Sequence, residues 1–159
     1  MKKIQCSGKY KNSIPKFAII DDNDFELVSR YNWTFSGGYV YTSSANPKML
    51  LHRFILGLSR FDKKEVDHIN RNCLDNRKIN LRVCDKSENG MNRPAQKNNK
   101  SSGFKGVSWH KSTGKYQARI SFRKKAIWLG EFDDKFKAAA AYNLAAEKYH
   151  GIFACLNVL

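Results

Sequence analysis

The C-terminal part of the chain shows the alternation of apolar and polar residues that is typical of β-strands. The pattern predicts three antiparallel strands, at 106–110, 116–122 and 126–132. Because successive side chains of a strand point to opposite faces, the middle strand is expected to have one apolar and one polar face. The apolar set is Tyr116, Ala118, Ile120 and Phe122, and the polar set is Gln117, Arg119 and Ser121.

A helix is predicted to follow this sheet and to cover its apolar face. Asp133 or Asp134 is placed to cap the helix, and Gly151 is placed to end it after Tyr149. The apolar stripe of the helix consists of Ala138, Ala141, Tyr142, Ala145 and Tyr149. Three strands cannot bury one face alone, so sheet and helix are expected to fold as one unit.

The first half of the chain contains shorter apolar runs. They predict a strand at Phe17–Ile20, a short helix at 21–31 capped by Asp21 or Asp22, a hairpin at Trp33–Ser43 and a buried helix at Met49–Leu58. Gly37 and Gly38 are expected to form the hairpin turn.

Two short strands, an amide-rich loop and a helix are predicted between residues 65 and 92. The strands are Glu65–Ile69 and Leu81–Cys84, and the helix is Ser87–Asn92. The asparagines and aspartates between the strands favour turns, because their short side chains bond to nearby backbone groups. Asp85 and Glu88 fit a capping box at the start of the helix.

The residues of this segment suit phosphodiester hydrolysis. Magnesium takes oxygen ligands, which Asp67 and an amide on the helix, either Asn89 or Asn92, can supply. His68 is the candidate general base, because imidazole titrates near neutral pH. Neighbours in a strand point to opposite faces, so Asp67 and His68 serve one site only if the strand end is twisted or the phosphate lies over its edge.

Three motifs in the segment, D-H-I-N, D-N-R-x-x-N-L-R and S-E-N-x-x-N, resemble the HNH nuclease motif of zinc-free phage and intron homing endonucleases. The resemblance implies that His68 is the general base, that Asp67 and Asn89 bind the metal, and that Asn80 braces the loop. Asn89 is preferred to Asn92 because it lies earlier on the helix. The implied cofactor is magnesium or another divalent cation such as manganese.

A further similarity to phage nucleases of this type is the L-H-R sequence ahead of the motif. It contains His52 and Arg53. Both are interpreted as scaffold lining the cleft, with Arg53 as a candidate phosphate contact.

The chain is strongly basic, with 29 Lys and Arg against 14 Asp and Glu, a formal net charge of +15 and a sequence pI near 9.8. This balance favours a polyanionic partner through counterion release. No apolar run is long enough to span a bilayer, and no signal-peptide core follows the N-terminus. We therefore expect a soluble cytoplasmic protein that has no membrane partner. If the gene is phage-encoded, the expected location is the cytoplasm of the bacterial host.

The four cysteines are scattered and contain no C-x-x-C pair, so no structural zinc is expected. Free thiols are the default prediction in a cytoplasmic protein. Pairing of Cys73 with Cys84 across the loop stays open as an alternative.

A change of composition separates two predicted domains in the 159-residue chain. Residues 94–103 lack periodicity and are rich in Asn, Ser and Lys, so they predict a linker between domains at 1–93 and 104–159. No acidic residue occurs from Asn89 to Gly130, whereas a solvated surface normally mixes signs. The basic residues there include Arg93, Lys97, Lys100, Lys105, Lys111, Lys115, Arg119, Arg123, Lys124 and Lys125.

The region from Phe104 to the C-terminus resembles the plant ethylene-response-factor (Apetala-type) DNA-binding domain, with its W-L-G-x-F motif and Ala-rich helix. That family reads the DNA major groove with its sheet. The resemblance, together with the basic turn 123–125, assigns DNA contacts to Ser108, His110, Lys115, Arg119, Ser121, Arg123, Lys124, Lys125, Ala126 and Trp128. Several family arginines are replaced here, by Ser108, His110, Ser121 and Ala126, so base preference does not transfer.

The expected fold class is α+β, with an N-terminal HNH (ββα-metal) nuclease domain followed by a three-stranded antiparallel sheet packed on one helix. The predicted function is a homing-type, metal-dependent endonuclease for double-stranded DNA, a monomer or weak dimer without an obligate protein partner. One alternative is a non-catalytic DNA-binding regulator with a relic nuclease domain. RNA processing is a second alternative. It is the weaker one, because the sheet resembles a domain that reads duplex DNA.

Overall fold

The computed structural model describes residues 1–8, 14, 16–42, 44, 48–96 and 98–159. They form two compact units, Met1–Lys86 and Ser87–Leu159. Both units contain strands and helices, so the chain is α+β, as predicted.

The first unit contains a five-stranded sheet. Its strands are β1 (Lys2–Gly8), β2 (Lys16–Ile20), β3 (Trp33–Ser36), β4 (Tyr39–Thr42) and β5 (Met49–Leu50), in the order β2-β1-β3-β4-β5. Neighbouring strands are antiparallel except for β1 and β3, which are parallel. In β1, Ile4 and Cys6 are buried while Lys3 and Gln5 are exposed, so the sheet has one covered face.

The predicted hairpin and short helix of this unit are confirmed. Strands β3 and β4 meet at Gly37 and Gly38, whose positive φ of 61° and 83° suits a tight hairpin turn. Ser43, the last residue of the predicted hairpin, lies outside the described residues. A 3-10 turn at Asp22–Asp24 leads into helix α1 (Phe25–Val28).

The predicted cap of this helix is wrong. The Asp21 side chain makes no cap hydrogen bond; its Oδ2 accepts from the backbone N–H of Lys78 at 2.8 Å. The Oδ2 atom of Asp22 accepts from the N-terminal ammonium group. Both carboxylates are therefore used by partners distant in sequence.

The predicted helix at Met49–Leu58 is also wrong in extent. Met49 and Leu50 pair with Thr42 and Tyr41 of β4, and helix α2 runs only over Leu51–Ile55. An apolar run by itself does not separate strand from helix, and here the edge of the sheet takes its first residues. Strand β1 has no counterpart among the predicted elements, although its residues alternate as a strand requires.

The predicted strand, loop, strand and helix between 65 and 92 are confirmed to within one or two residues. They are β6 (Glu65–His68), β7 (Leu81–Cys84) and α3 (Lys86–Met91). The two strands are antiparallel, with Asp67 opposite Arg82. Val66 and Leu81 belong to the same core as the five-stranded sheet and α2, which fixes the hairpin within the first unit.

The second unit contains the predicted sheet and helix. Strands β8 (Val107–His110), β9 (Lys115–Phe122) and β10 (Lys125–Phe132) form an antiparallel sheet in the order β10-β9-β8, followed by α4 (Lys135–His150). Asp134 is the cap, since its side chain accepts from the N–H of Phe136 at 3.0 Å. Small residues allow close packing: a Cβ on Gly106 would lie 2.1 Å from the ring of Tyr142.

Part of the predicted linker is ordered by side-chain hydrogen bonds. The amide of Asn99 donates to the carbonyls of Phe104 and Val107 at 2.8 and 3.0 Å, and Ser102 Oγ donates to Val107 at 2.7 Å. Residues 99–103 are thereby fixed to the start of β8. Lys97 lies outside the described residues, and the domain boundaries at 93 and 104 stay a prediction.

The four cysteines all lie in the described part of the chain and form no disulfide, so the alternative pairing of Cys73 with Cys84 is wrong. Among the described helices, none has the length and apolarity needed to cross a bilayer.

Candidate active site and DNA-binding face

Strand β6 brings Asp67 and His68 next to each other in a buried position, with 6% and 5% of their surfaces exposed. Their side chains have different partners, as expected of neighbours in a strand. Asp67 contacts Arg82 on β7, and His68 contacts His52 and Asn76. The two groups are thus surrounded by protein rather than placed on an open strand end.

Arg82 is the ion-pair partner of Asp67. Its Nε and Nη2 atoms donate to Oδ2 of Asp67 at 2.8 and 2.5 Å, and the side chains are 13% and 7% exposed. Sequence reasoning missed this pair. The pair could have been predicted from the register of the two strands, which places Arg82 directly opposite Asp67.

The ring of His68 is oriented by Asn76, whose Oδ1 lies 3.3 Å from Nε2. Asn76 Nδ2 donates to the carbonyl of Cys73 at 3.1 Å, so its Oδ1 faces the histidine and accepts. This network assigns the proton of neutral His68 to Nε2 and the basic lone pair to Nδ1. Asn76 is fully buried, and sequence reasoning noted it only as a turn residue.

Burial lowers the pKa of His68 below its usual 6.5, while Asn76, Asp67 and Asp75 oppose that shift. His68 is therefore neutral at pH 7, the state a general base requires.

His52 packs edge-on against His68, with ring centroids 5.2 Å apart and an interplanar angle of 87°. It is 5% exposed, and burial, followed by the charges of His68 and Arg53, lowers its pKa to about 3. His52 is thus a neutral scaffold residue that limits how the His68 ring can turn.

Arg53 makes intramolecular hydrogen bonds to three backbone carbonyls. Its guanidinium donates to the carbonyls of Lys64 at 2.7 Å, Asp62 at 3.3 Å and Ser59. These carbonyls take three of the five guanidinium N–H groups, and the expected phosphate contact stays a prediction.

The loop between β6 and β7 is closed by side-chain amides. Asn80 Oδ1 accepts from the N–H of Asn70 at 2.9 Å, and its Nδ2 donates to the carbonyl of Asp75 at 2.7 Å. Two Arg77 nitrogens bond Asp75, each at 2.7 Å, and hold the pKa of that carboxyl below its usual range. Backbone bonds to Ile19 fix the loop to β2. The loop is therefore rigid beside the histidine.

No group of three or more His, Cys, Asp or Glu side chains that could hold a metal ion occurs among the described residues. Asp67 supplies one buried carboxylate, which fits the habit of magnesium to use one or two carboxylates and complete its shell with water and phosphate. Asn89 is half-buried on α3 and Asn92 is buried, both in the second unit. That Asp67 and Asn89 share a cation stays a prediction.

The strand register of the second unit places seven of the ten predicted DNA contacts on one face of its sheet, whereas Lys125 pairs with Phe122 and belongs to the other face. Trp128 lies opposite Arg119, Ala126 opposite Ser121, and His110 opposite Lys115. The members of this face, called here the basic face, are Ser108, His110, Lys115, Gln117, Arg119, Ser121, Ala126, Trp128 and Glu131. The guanidinium of Arg119 lies over the ring of Trp128, 5.1 Å from its centroid. Arg123 and Lys124 form the exposed turn beside it.

Two members of the basic face differ from expectation. Gln117 is 7% exposed, because its Nε2 donates to Glu131 at 2.8 Å and its Oε1 accepts from Arg119 at 3.0 Å. Glu131 follows the acid-free stretch directly and puts a carboxylate on this face, 3.8 Å from His110. The face is therefore less positive than the sequence suggests.

Comparison with known proteins supports both halves of this description. The HNH endonuclease family matches residues 51–91, and the AP2 domain matches residues 102–152. An uncharacterized HNH endonuclease of Acanthamoeba polyphaga mimivirus is 31% identical over 145 residues, covering 89% of this chain and 74% of that protein. No solved structure matches the chain.

Plant proteins match a shorter part of the chain. An AP2-like ethylene-responsive transcription factor of Arabidopsis thaliana is 40% identical over 58 residues, and APETALA2-like protein 2 of Oryza sativa is 38% identical over 58 residues. Each match covers 36% of this chain but only 12% and 13% of the plant proteins. The chain belongs to the HNH endonuclease family and joins the nuclease segment to an AP2-type DNA-binding domain.

Proposed function

We propose that the protein is a metal-dependent DNA endonuclease of homing type, with a ββα-metal arrangement of β6, β7 and α3. The observation that supports this most directly is the pair Asp67 and His68: a buried carboxylate beside a buried, neutral and oriented imidazole, inside the segment matched by the HNH family. The protein is proposed to act on double-stranded DNA as a monomer or weak dimer. A single active site of this kind cuts one strand and so makes a nick. The proposed location is the cytoplasm.

In the proposed reaction, His68 Nδ1 takes a proton from the water that attacks the phosphodiester. The P–O bond to the leaving sugar oxygen breaks, and solvent water protonates that oxygen. Asn76 keeps Nε2 protonated, so the lone pair stays on the attacking side of the ring. Asn80 braces the loop that carries Asn76. Asp67 would hold magnesium or manganese, with Asn89 as the proposed second ligand, and the bound cation would stabilise charge on the phosphate. Arg82 fixes the carboxylate of Asp67.

The AP2-type domain is proposed to bind and position the duplex. The exposed residues Ser108, Arg119, Ser121 and Trp128 of the basic face are placed to meet base edges, and Arg123, Lys124 and Lys125 to meet phosphates. Phosphate contacts set the register, and base-edge contacts specify the sequence.

Metal removal tests the proposed reaction. Supercoiled plasmid and genomic DNA are incubated with the full chain in magnesium, in manganese and in EDTA, and the ends are mapped. We expect nicks at recurrent positions with either metal and none in EDTA, because the cation is needed to stabilise the scissile phosphate. Binding of DNA without cleavage in any divalent metal would contradict the proposal and favour a DNA-binding regulator.

Glu131→Gln is expected to tighten DNA binding about fivefold at low salt, because a carboxylate near phosphates costs on the order of 1 kcal/mol at close range in water. Glutamine keeps the size of the side chain and its bond to Gln117. Affinity is measured by fluorescence anisotropy with a duplex in EDTA over a series of salt concentrations. Glu147→Gln is the control, since Glu147 is exposed on α4 and is not a member of the basic face. Equal gains in both variants would show a general charge effect.

A further inference from the structure

The loop from Ser59 to Lys64 places a large apolar side chain in solvent. Phe61 is 82% exposed and occupies a tight turn in which the N–H of Asp62 donates to the carbonyl of Ser59 at 3.2 Å. Single exposed apolar residues are common on proteins and need no explanation alone. Phe61 differs from them in the rigidity and in the charge of its surroundings.

Arg53 makes this turn rigid from its inner side. The carbonyls of Ser59, Asp62 and Lys64 all accept hydrogen bonds from its guanidinium, and the N–H of Phe61 donates to Ser59 Oγ at 3.2 Å. With the carbonyls drawn inward, the side chains of the turn point outward. An aromatic ring on such a turn loses little conformational freedom when it binds.

Basic residues flank Phe61 in this loop. The guanidinium of Arg60 lies 5.1 Å from its centroid, and Lys63 and Lys64 are exposed on the same loop, with Asp62 as the single acid. Cationic side chains attract phosphates, and an apolar wedge between them is the combination by which proteins enter and kink a duplex.

The loop is also connected to the candidate active site, through the hydrogen bonds of Arg53 and through its last residue, Lys64. Arg53 follows His52, whose ring contacts His68, and Lys64 leads into β6. At about 3.3 Å per residue, Lys64 lies roughly 10 Å along the strand from Asp67, which matches about three base-pair steps along the axis of a duplex.

We propose that the Ser59–Lys64 loop is a DNA wedge, in which Phe61 inserts between neighbouring base pairs while Arg60, Lys63 and Lys64 bind the flanking phosphates. This inference rests on DNA being the substrate of the proposed nuclease, and it assigns to the nuclease unit a contact separate from the AP2-type sheet. Its effect is to unstack and kink the duplex a few nucleotides from the phosphate to be cut.

Wedging changes the linking number of closed-circular DNA, which can be measured without cleavage. A plasmid is relaxed by a metal-independent topoisomerase in EDTA, with and without the full chain, and its topoisomers are resolved after removal of protein. We expect the chain to lower the linking number, and Phe61→Ala to remove roughly half or more of that change at equal occupancy. Phe61→Leu should retain part of it. Because Phe61 is exposed, these variants should unfold at the same temperature as the parent.

Leu144→Ala is the matched control, since Leu144 is 70% exposed on α4 of the second unit. Lys63→Ala should weaken binding and lower its salt dependence while leaving the topological change per bound protein intact. The wedge would be overturned if Phe61→Ala shifted the topoisomers as much as the parent does, or if the parent did not bind DNA. It would also be overturned if the chain bound anionic lipid vesicles through Phe61 and left DNA topology unchanged. A chain that shifts topoisomers but never nicks in magnesium would overturn the proposed nuclease and leave the wedge standing.

Discussion

Replacing His68 with alanine is expected to slow plasmid nicking in magnesium by about a thousandfold or more, because general-base catalysis typically contributes factors of 10² to 10⁴. The imidazole beside Asp67 is neutral at pH 7, because burial holds its pKa below 6.5, and it is therefore able to accept a proton. DNA affinity in EDTA should be nearly unchanged, since the basic face lies on another unit.

Two further measurements separate a catalytic loss from a folding defect. His68→Asn fills part of the buried space and should be as inactive as the alanine variant while unfolding closer to the parent. Asn76→Ala should lose less activity, because it frees the ring to turn without removing the base. Equal loss of cutting and binding in His68→Ala would contradict the assigned role.

The pH dependence of the parent's nicking rate reports the same group. Burial lowers the pKa of His68 from 6.5, so the fraction able to accept a proton stays high at pH 6.5 and falls only under more acidic conditions. The acid limb of the rate profile should therefore lie below pH 6.5 and be absent from the residual activity of His68→Ala.

Local patterns predicted most of the two units, and distant contacts account for what they missed. The β6–β7 hairpin and the three strands of the second unit follow from alternation and turn residues, which act over a few positions. Asn76 looked like a loop residue because its burial depends on the bonds between its loop and Ile19, far away in sequence. Its link to His68 was therefore invisible to motif spacing.

Side-chain pairing across strands was equally hard to predict. The pairs Asp67 with Arg82 and Gln117 with Glu131 depend on exact register, which a sequence pattern fixes only to within a residue or two. Met49–Leu58 shows the opposite case, where a largely apolar run contains no clear period that distinguishes an edge strand from a helix. In each case the deciding contact lies outside the local window.

Arg82→Ala is expected to lower the unfolding free energy of the first unit by about 3 kcal/mol, because removing one partner of a buried ion pair leaves the other charge without compensation. The pair qualifies as buried, with side-chain exposures of 13% and 7%. Urea unfolding is followed through Trp33, which is 2% exposed in this unit, in a background where Trp109 and Trp128 are replaced by phenylalanine.

Arg30→Ala is the control for this measurement. Arg30 pairs with Glu26 on the surface, with exposures of 64% and 89%, and such pairs contribute roughly 0 to 1 kcal/mol. Arg82→Lys should lie between the two, because an ammonium keeps the charge but cannot reproduce the two N–H groups that converge on one oxygen of Asp67. If Arg82→Ala lowered stability no more than Arg30→Ala, Asp67 would not depend on Arg82, and another contact would have to fix this carboxylate for the proposed metal.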